Sequence, residues 1–112
     1  MLLLALVTGG ASVQATTVSS GLYGVVTRGP ITPVCAAEVP CTAPAAGAVL
    51  VFSRNGTDVA RVTAAGDGSY RVHLPAAAYA VRTGHRRLEP TTTRVYASRM
   101  RHVDFSIDTG IR

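Results

Sequence analysis

Gly66-Asp67-Gly68-Ser69-Tyr70-Arg71-Val72-His73-Leu74-Pro75 is the stretch from which the fold is read. It opens on a turn. Gly68 can take the positive φ that a tight connection needs, and the Asp67 side chain can accept from the backbone N–H groups that follow. A period of two comes next: Tyr70, Val72 and Leu74 on one face, Ser69, Arg71 and His73 on the other. That is a half-buried strand, and Pro75 ends it. The same grammar extends both ways. Upstream, Asp58 to Thr63 and Ala48 to Ser53 flank Asn55-Gly56, a strong two-residue hairpin signal. Downstream lie Tyr79 to Thr83, Thr92 to Ala97 and Val103 to Ile107, and Leu22 to Thr27 comes first. Seven strands and no sustained 3.6-residue period predict an all-β chain, a seven-stranded antiparallel sandwich. Val49, Leu50, Val51 and Phe52 are apolar on both faces, so that strand is expected to be central. Val103, Phe105 and Ile107 are expected to face inward, as are Val95 and Ala97.

The chain has 112 residues, enough for one domain. Leu2 to Val7 form a short apolar run broken by Gly9-Gly10, and Val13-Gln14-Ala15 supplies small residues before a cut after Ala15. Residues 1–15 therefore read as a secretory signal, although no basic residue precedes the run. Thr16 to Arg112 would be the exported domain. No apolar segment approaches the roughly 20 residues a spanning helix needs. Cys35 and Cys41 are the two cysteines. In an exported chain an even, close pair reads as a disulfide, contributing about 2 kcal/mol for so short a loop. It would clip the long connection from Arg28 to Ala46, which holds Pro30, Pro33, Pro40 and Pro44.

Several of these segments together carry a resemblance. Leu22-Tyr23-Gly24-Val25-Val26-Thr27, Gly47-Ala48-Val49, Gly66-Asp67-Gly68-Ser69-Tyr70 and Leu74-Pro75 leading to Tyr79 are similar to the carboxypeptidase regulatory-like domain. That group shares a prealbumin-like sandwich with Cna B-type repeats. The resemblance spans Gly21 to Ile107 and implies that fold, in a short exported bacterial form; it implies no particular activity. The 5-hydroxyisourate hydrolase of the same fold family relies on a C-terminal Tyr-Arg-Gly-Ser, whereas this chain ends Gly110-Ile111-Arg112.

Chemistry-bearing patterns are sparse. Catalysis needs a nucleophile beside a base held by a third group, and no G-x-S-x-G, H-E-x-x-H or phosphate-loop pattern occurs. His102 and Asp104 lie two apart on one strand face, where Arg99 and Arg101 could join a polar cluster. Copper would need Cys35 with His73, His85, His102 and Met100, in an order unlike that of blue-copper sites. The expectation is therefore no enzyme, no cofactor and no metal. Net charge is +5 and every basic residue other than histidine is arginine. His85-Arg86-Arg87 and Arg99-Met100-Arg101-His102 are the densest basic pieces, and both are expected in loops. Export and only four Tyr and two Phe argue against nucleic acid. The expected contact surface is Arg86, Arg87, Arg99 and Arg101 with Tyr96. The expected partner is an anionic polysaccharide or cell-wall polymer, or another exported protein. The alternative is a structural module that self-associates through an edge strand such as Val103 to Ile107.

Overall fold

A computed structural model describes residues 20–36 and 40–111. The proposed signal, residues 1–15, lies outside the described residues. Among those described the chain is all-β, with no helix and ten strands in two sheets. They are β1 (Gly21–Gly29), β2 (Ala43–Pro44), β3 (Val49–Arg54), β4 (Thr57–Thr63), β5 (Ser69–His73), β6 (Ala77–Arg82), β7 (Arg87–Glu89), β8 (Thr92–Val95), β9 (Met100–His102) and β10 (Phe105–Asp108).

β1 is the spine of the larger sheet. On one side its first half pairs antiparallel with β5 and its second half with β2. On the other side the first half pairs parallel with β9 and the second with β10, beyond which lies β7. The smaller sheet runs β4-β3-β6-β8, entirely antiparallel.

Local chemistry accounts for the turns. Asn55 and Gly56 take φ of 53° and 80°, the pair of positive values that a primed hairpin turn demands. Gly68 takes φ 86°, and Asp67 Oδ1 accepts from both the Ser69 N–H (2.9 Å) and its hydroxyl (2.6 Å). Those two bonds hold the Asp67 carboxyl below its ordinary range.

Packing follows the alternation. Phe52, Phe105, Leu22, Leu50, Ile107, Val26 and Val95 are the largest fully buried side chains, drawn from both sheets. Phe52 of β3 meets Phe105 of β10 edge-on at 6.3 Å across the interior. β3 is central as expected. Its outward Val51 is only 5% exposed, flanked in register by Arg61 and Arg82. Long arginine stems can cover an apolar neighbour while keeping their heads in water. Arg82 also reaches Asp58 of β4 through two bonds of 2.7 and 2.8 Å, which lowers the Asp58 pKa and raises that of Arg82.

Four expectations are corrected. There are ten strands rather than seven, because β2, β7 and β9 have two or three residues each and no alternation of their own; ladder bonds to longer neighbours recruit them. The larger sheet is mixed rather than purely antiparallel, since the chain returns from β8 in the other sheet and so runs alongside β1 in its own direction. Val103 to Ile107 is not an edge strand: β10 lies between β1 and β7, and Val103-Asp104 is the break between β9 and β10. Ala97 lies beyond β8 and is exposed. Asn55-Gly56, the inward Tyr70, Val72 and Leu74, and the Cys35–Cys41 disulfide, with Cα atoms 5.5 Å apart, are as read from the sequence.

Two tyrosine hydroxyls close the ends of the core. Tyr79 donates to the Pro75 carbonyl and Tyr70 to that of Val103. Burial first, and then the Asp104 charge, push the Tyr70 pKa well above its ordinary 10.0. The unfolded chain begins to release this proton near pH 10 while the folded chain keeps it. Tyr70 therefore contributes fully below that pH, and stability falls as pH rises above it. Tyr70→Phe is expected to cost about 1–2 kcal/mol at neutral pH and to flatten the loss of stability above about pH 10. Urea midpoints across that range test this; an unchanged alkaline slope counts against it.

Candidate functional site

The corner after β8 gathers the sequence's most unusual side chains. Tyr96 to Arg99 carry the chain from the smaller sheet to β9 in the larger one, with Ser98 at φ 66°. Arg99 and Arg101 are two apart, so both project to the side where the chain has just passed. Their guanidinium carbons lie 4.7 and 5.6 Å from the Tyr96 ring centroid. Arg101 also donates through Nη1 to the Arg94 carbonyl (3.0 Å) and the Thr93 hydroxyl (3.3 Å). It thereby laces β9 to β8 and fixes its own position.

Beside this cluster opens a groove of about 450 Å³ with Thr93, Arg94, Tyr96, Arg101 and Val103 among its lining, and no carboxylate there. Cation–π contact uses the face of a guanidinium and leaves its N–H edge directed outward. Arg94 and Arg101 in the lining, with Arg99 against Tyr96 beside it and no acidic residue in the lining, make a positive field that an anion relieves. The guanidinium N–H groups other than Arg101 Nη1 suit carboxylate, sulfate or phosphate oxygens.

The expected surface divides in two. Arg86 and Arg87 do not join this corner. β9 pairs with Gly21 to Tyr23, whereas Asp108 pairs with both Gly29 and Arg87, so the two basic pieces sit at opposite ends of β1. At the usual strand rise the separation is about 26 Å. Nor are the two pieces simply the loops expected: Arg87 opens β7, which pairs with β10, and Met100–His102 form β9, which pairs with β1, and sequence order reveals neither pairing.

His102 and Asp104 do meet, Nε2 to Oδ1 at 3.0 Å, but on the other face of β9 from Arg101. The same Asp104 oxygen accepts the Val25 N–H at 2.9 Å, and the Val103 N–H donates to the Tyr23 carbonyl. Asp104 thus replaces a backbone acceptor where β9 breaks into β10, which is a structural task. His102 stacks on Tyr23 at 5.2 Å, and Arg71 lies over the same ring at 5.5 Å. Tyr23 and Arg71 were not singled out in the sequence. Alternation placed Arg71 outward, but the register that aligns it and Tyr23 with His102 is tertiary. A copper site built on Cys35 is incompatible with its bond to Cys41.

No helix among the described residues is long and apolar enough to cross a membrane. Compared with protein families, characterised proteins and solved structures, the chain matches none.

Proposed function

We propose that this chain is a non-catalytic, exported binding module that holds an anionic polysaccharide or cell-wall polymer at the Tyr96 corner. One observation carries the reading: Arg94, Tyr96 and Arg101 line an open groove that holds no carboxylate in its lining, and Arg99 lies against the same Tyr96 ring at its side. An open groove lined from both sheets suits part of a polymer better than a small enclosed substrate, and guanidinium edges suit its acidic groups. The disulfide supports export, since such bonds persist in oxidising compartments. The prealbumin-like, carboxypeptidase regulatory-like assignment belongs to the same proposal. The two packed sheets and the turns at Asn55-Gly56 and Gly66–Gly68 agree with it.

Retention on polygalacturonate and heparin resins, with uncharged dextran as the control, tests the reading. The wild-type chain is expected to bind both anionic resins and to elute as salt rises, because exposed charge pairs are screened over about 8 Å near physiological ionic strength. Arg99→Gln, whose side chain makes no hydrogen bond to the fold among the described residues, is expected to weaken binding about tenfold. Retention that persists unchanged at about 0.5 M salt, where screening is shorter still, or equal retention on dextran, would overturn the charge-driven reading.

A further inference from the structure

A different feature lies at the far end of β1. Two tight turns face each other there. Ala45–Ala48 closes through the Ala48 N–H to the Ala45 carbonyl (3.1 Å), with Gly47 at φ 78°. Thr83–Arg86 closes through the Arg86 N–H to the Thr83 carbonyl (3.2 Å), with Gly84 at φ 59°. Between them is a groove of about 390 Å³, floored by Ile107. We infer that this groove is a second binding site, for a small carboxylic acid with a compact apolar body.

The key residue is Thr83. It is 6% exposed and lines the groove, yet among the described residues its hydroxyl has no hydrogen-bond partner. Buried hydroxyls are nearly always satisfied, so one left open against a cavity marks where a ligand oxygen belongs. Above it stand exposed Arg28, His85 and Arg86, none of which has an ion-pair partner among the described residues. Asp108 borders the neighbouring groove with Arg86 and Arg87, so the mouth keeps an excess of positive charge.

The walls set the rest of the ligand. Ala45, Ala48, Val49 and Ile107 offer methyl and methylene surface and no side-chain donor, and an added Cβ at Gly47 or Gly84 would meet nothing within 4 Å. The donors sit only at the mouth and at Thr83. A carboxylate can take a guanidinium fork with one oxygen pair and the Thr83 hydroxyl besides, while its hydrocarbon lies along the alanines. A phosphate would leave further charged oxygens facing methyl groups, which is costly. The size falls within the usual range of small-molecule sites.

Amide-shift titration of the isotope-labelled chain with hexanoate, hexanol and inorganic phosphate tests this. Hexanoate is expected to move the Gly47, Thr83 and Gly84 signals saturably, with hexanol and phosphate about tenfold weaker or worse. Thr83→Val keeps the shape and removes the hydroxyl; it and Arg86→Gln should each weaken hexanoate about fivefold to tenfold. Arg54→Gln, remote in the hairpin, should change nothing. Equal binding of hexanol, tighter binding of phosphate, an unaffected Thr83→Val variant with a native spectrum, or no saturable shift would each overturn the site. None of these outcomes bears on polymer binding at the Tyr96 corner.

Discussion

Gly24→Ala is expected to destabilise the fold by about 3 kcal/mol or more, the size of effect that follows from forcing atoms into a packed interior. Gly24 faces inward on β1 between the buried Leu22 and Val26. At this point β9 ends and β10 has not begun, and the Val103-Asp104 backbone passes directly over the strand. A Cβ built on Gly24 would collide with the Val103 carbonyl oxygen, lie 2.9 Å from its carbon and reach within 2.7 Å of Asp104 Oδ1. Two of these are backbone atoms and the third is the oxygen that holds the Val25 N–H. None can move without breaking the junction of β1 with its parallel neighbours. Glycine in a strand interior often marks such a close approach of backbone. Gly66→Ala serves as the control: its φ is not positive and an added Cβ meets nothing within 4 Å, so stability should change by less than about 0.5 kcal/mol. Thermal melts decide the matter. A domain of this size loses about 4–8 °C per kcal/mol, so Gly24→Ala should lower Tm by more than about 12 °C. Equal melting of the two variants would refute the close approach.

Phe105→Ala is expected to cost about 3–5 kcal/mol, a large share of the stability of any small domain. Phe105 is 1% exposed on β10 and touches aromatic rings from both layers: Phe52 of the opposing sheet at 6.3 Å and Tyr70 of its own at 5.6 Å. Truncation leaves a cavity between two sheets that are each held by their own ladders, so neither can collapse far to fill it. Phe105→Leu should cost clearly less, since most of the volume remains. A double-mutant cycle with Phe52→Ala measures the contact between layers, and about 0.5–1.5 kcal/mol of coupling is expected for an edge-to-face pair. Strict additivity would mean that the two rings do not meet across the interior.

Much of the architecture was legible from local chemistry. Ser69 to Leu74 alternates cleanly because one face of β5 is buried and the other wet, and Tyr70, Val72 and Leu74 are the buried set. Asn55-Gly56 and Gly66-Asp67-Gly68 could be read because few residues tolerate positive φ. The cysteine pair was readable from spacing and context together. The candidate site was legible only in part. Arg99, Arg101 and Tyr96 are close in sequence, and a single corner brings them together. Arg86 and Arg87 belong to the other end of β1, and Thr83, with its unpartnered hydroxyl, is an unremarkable strand residue in the sequence.

The sequence by itself determined the all-β character, the main turns, the inward faces of β5 and β10 and the disulfide. Each depends on residues within a few positions of one another: side-chain period, backbone permissiveness or loop closure. Tertiary structure alone decided that β1 has parallel neighbours, that β2, β7 and β9 exist as strands, that Phe105 lies inside the sheet rather than at its edge, and that the basic residues separate into two ends. These are pairings between segments up to about 80 residues apart, as in Val25 with Asp104. A strand's own pattern states which face it buries, but its neighbour is selected by which edge presents free N–H and C=O groups when the chain returns, and that is a property of the assembled sheets.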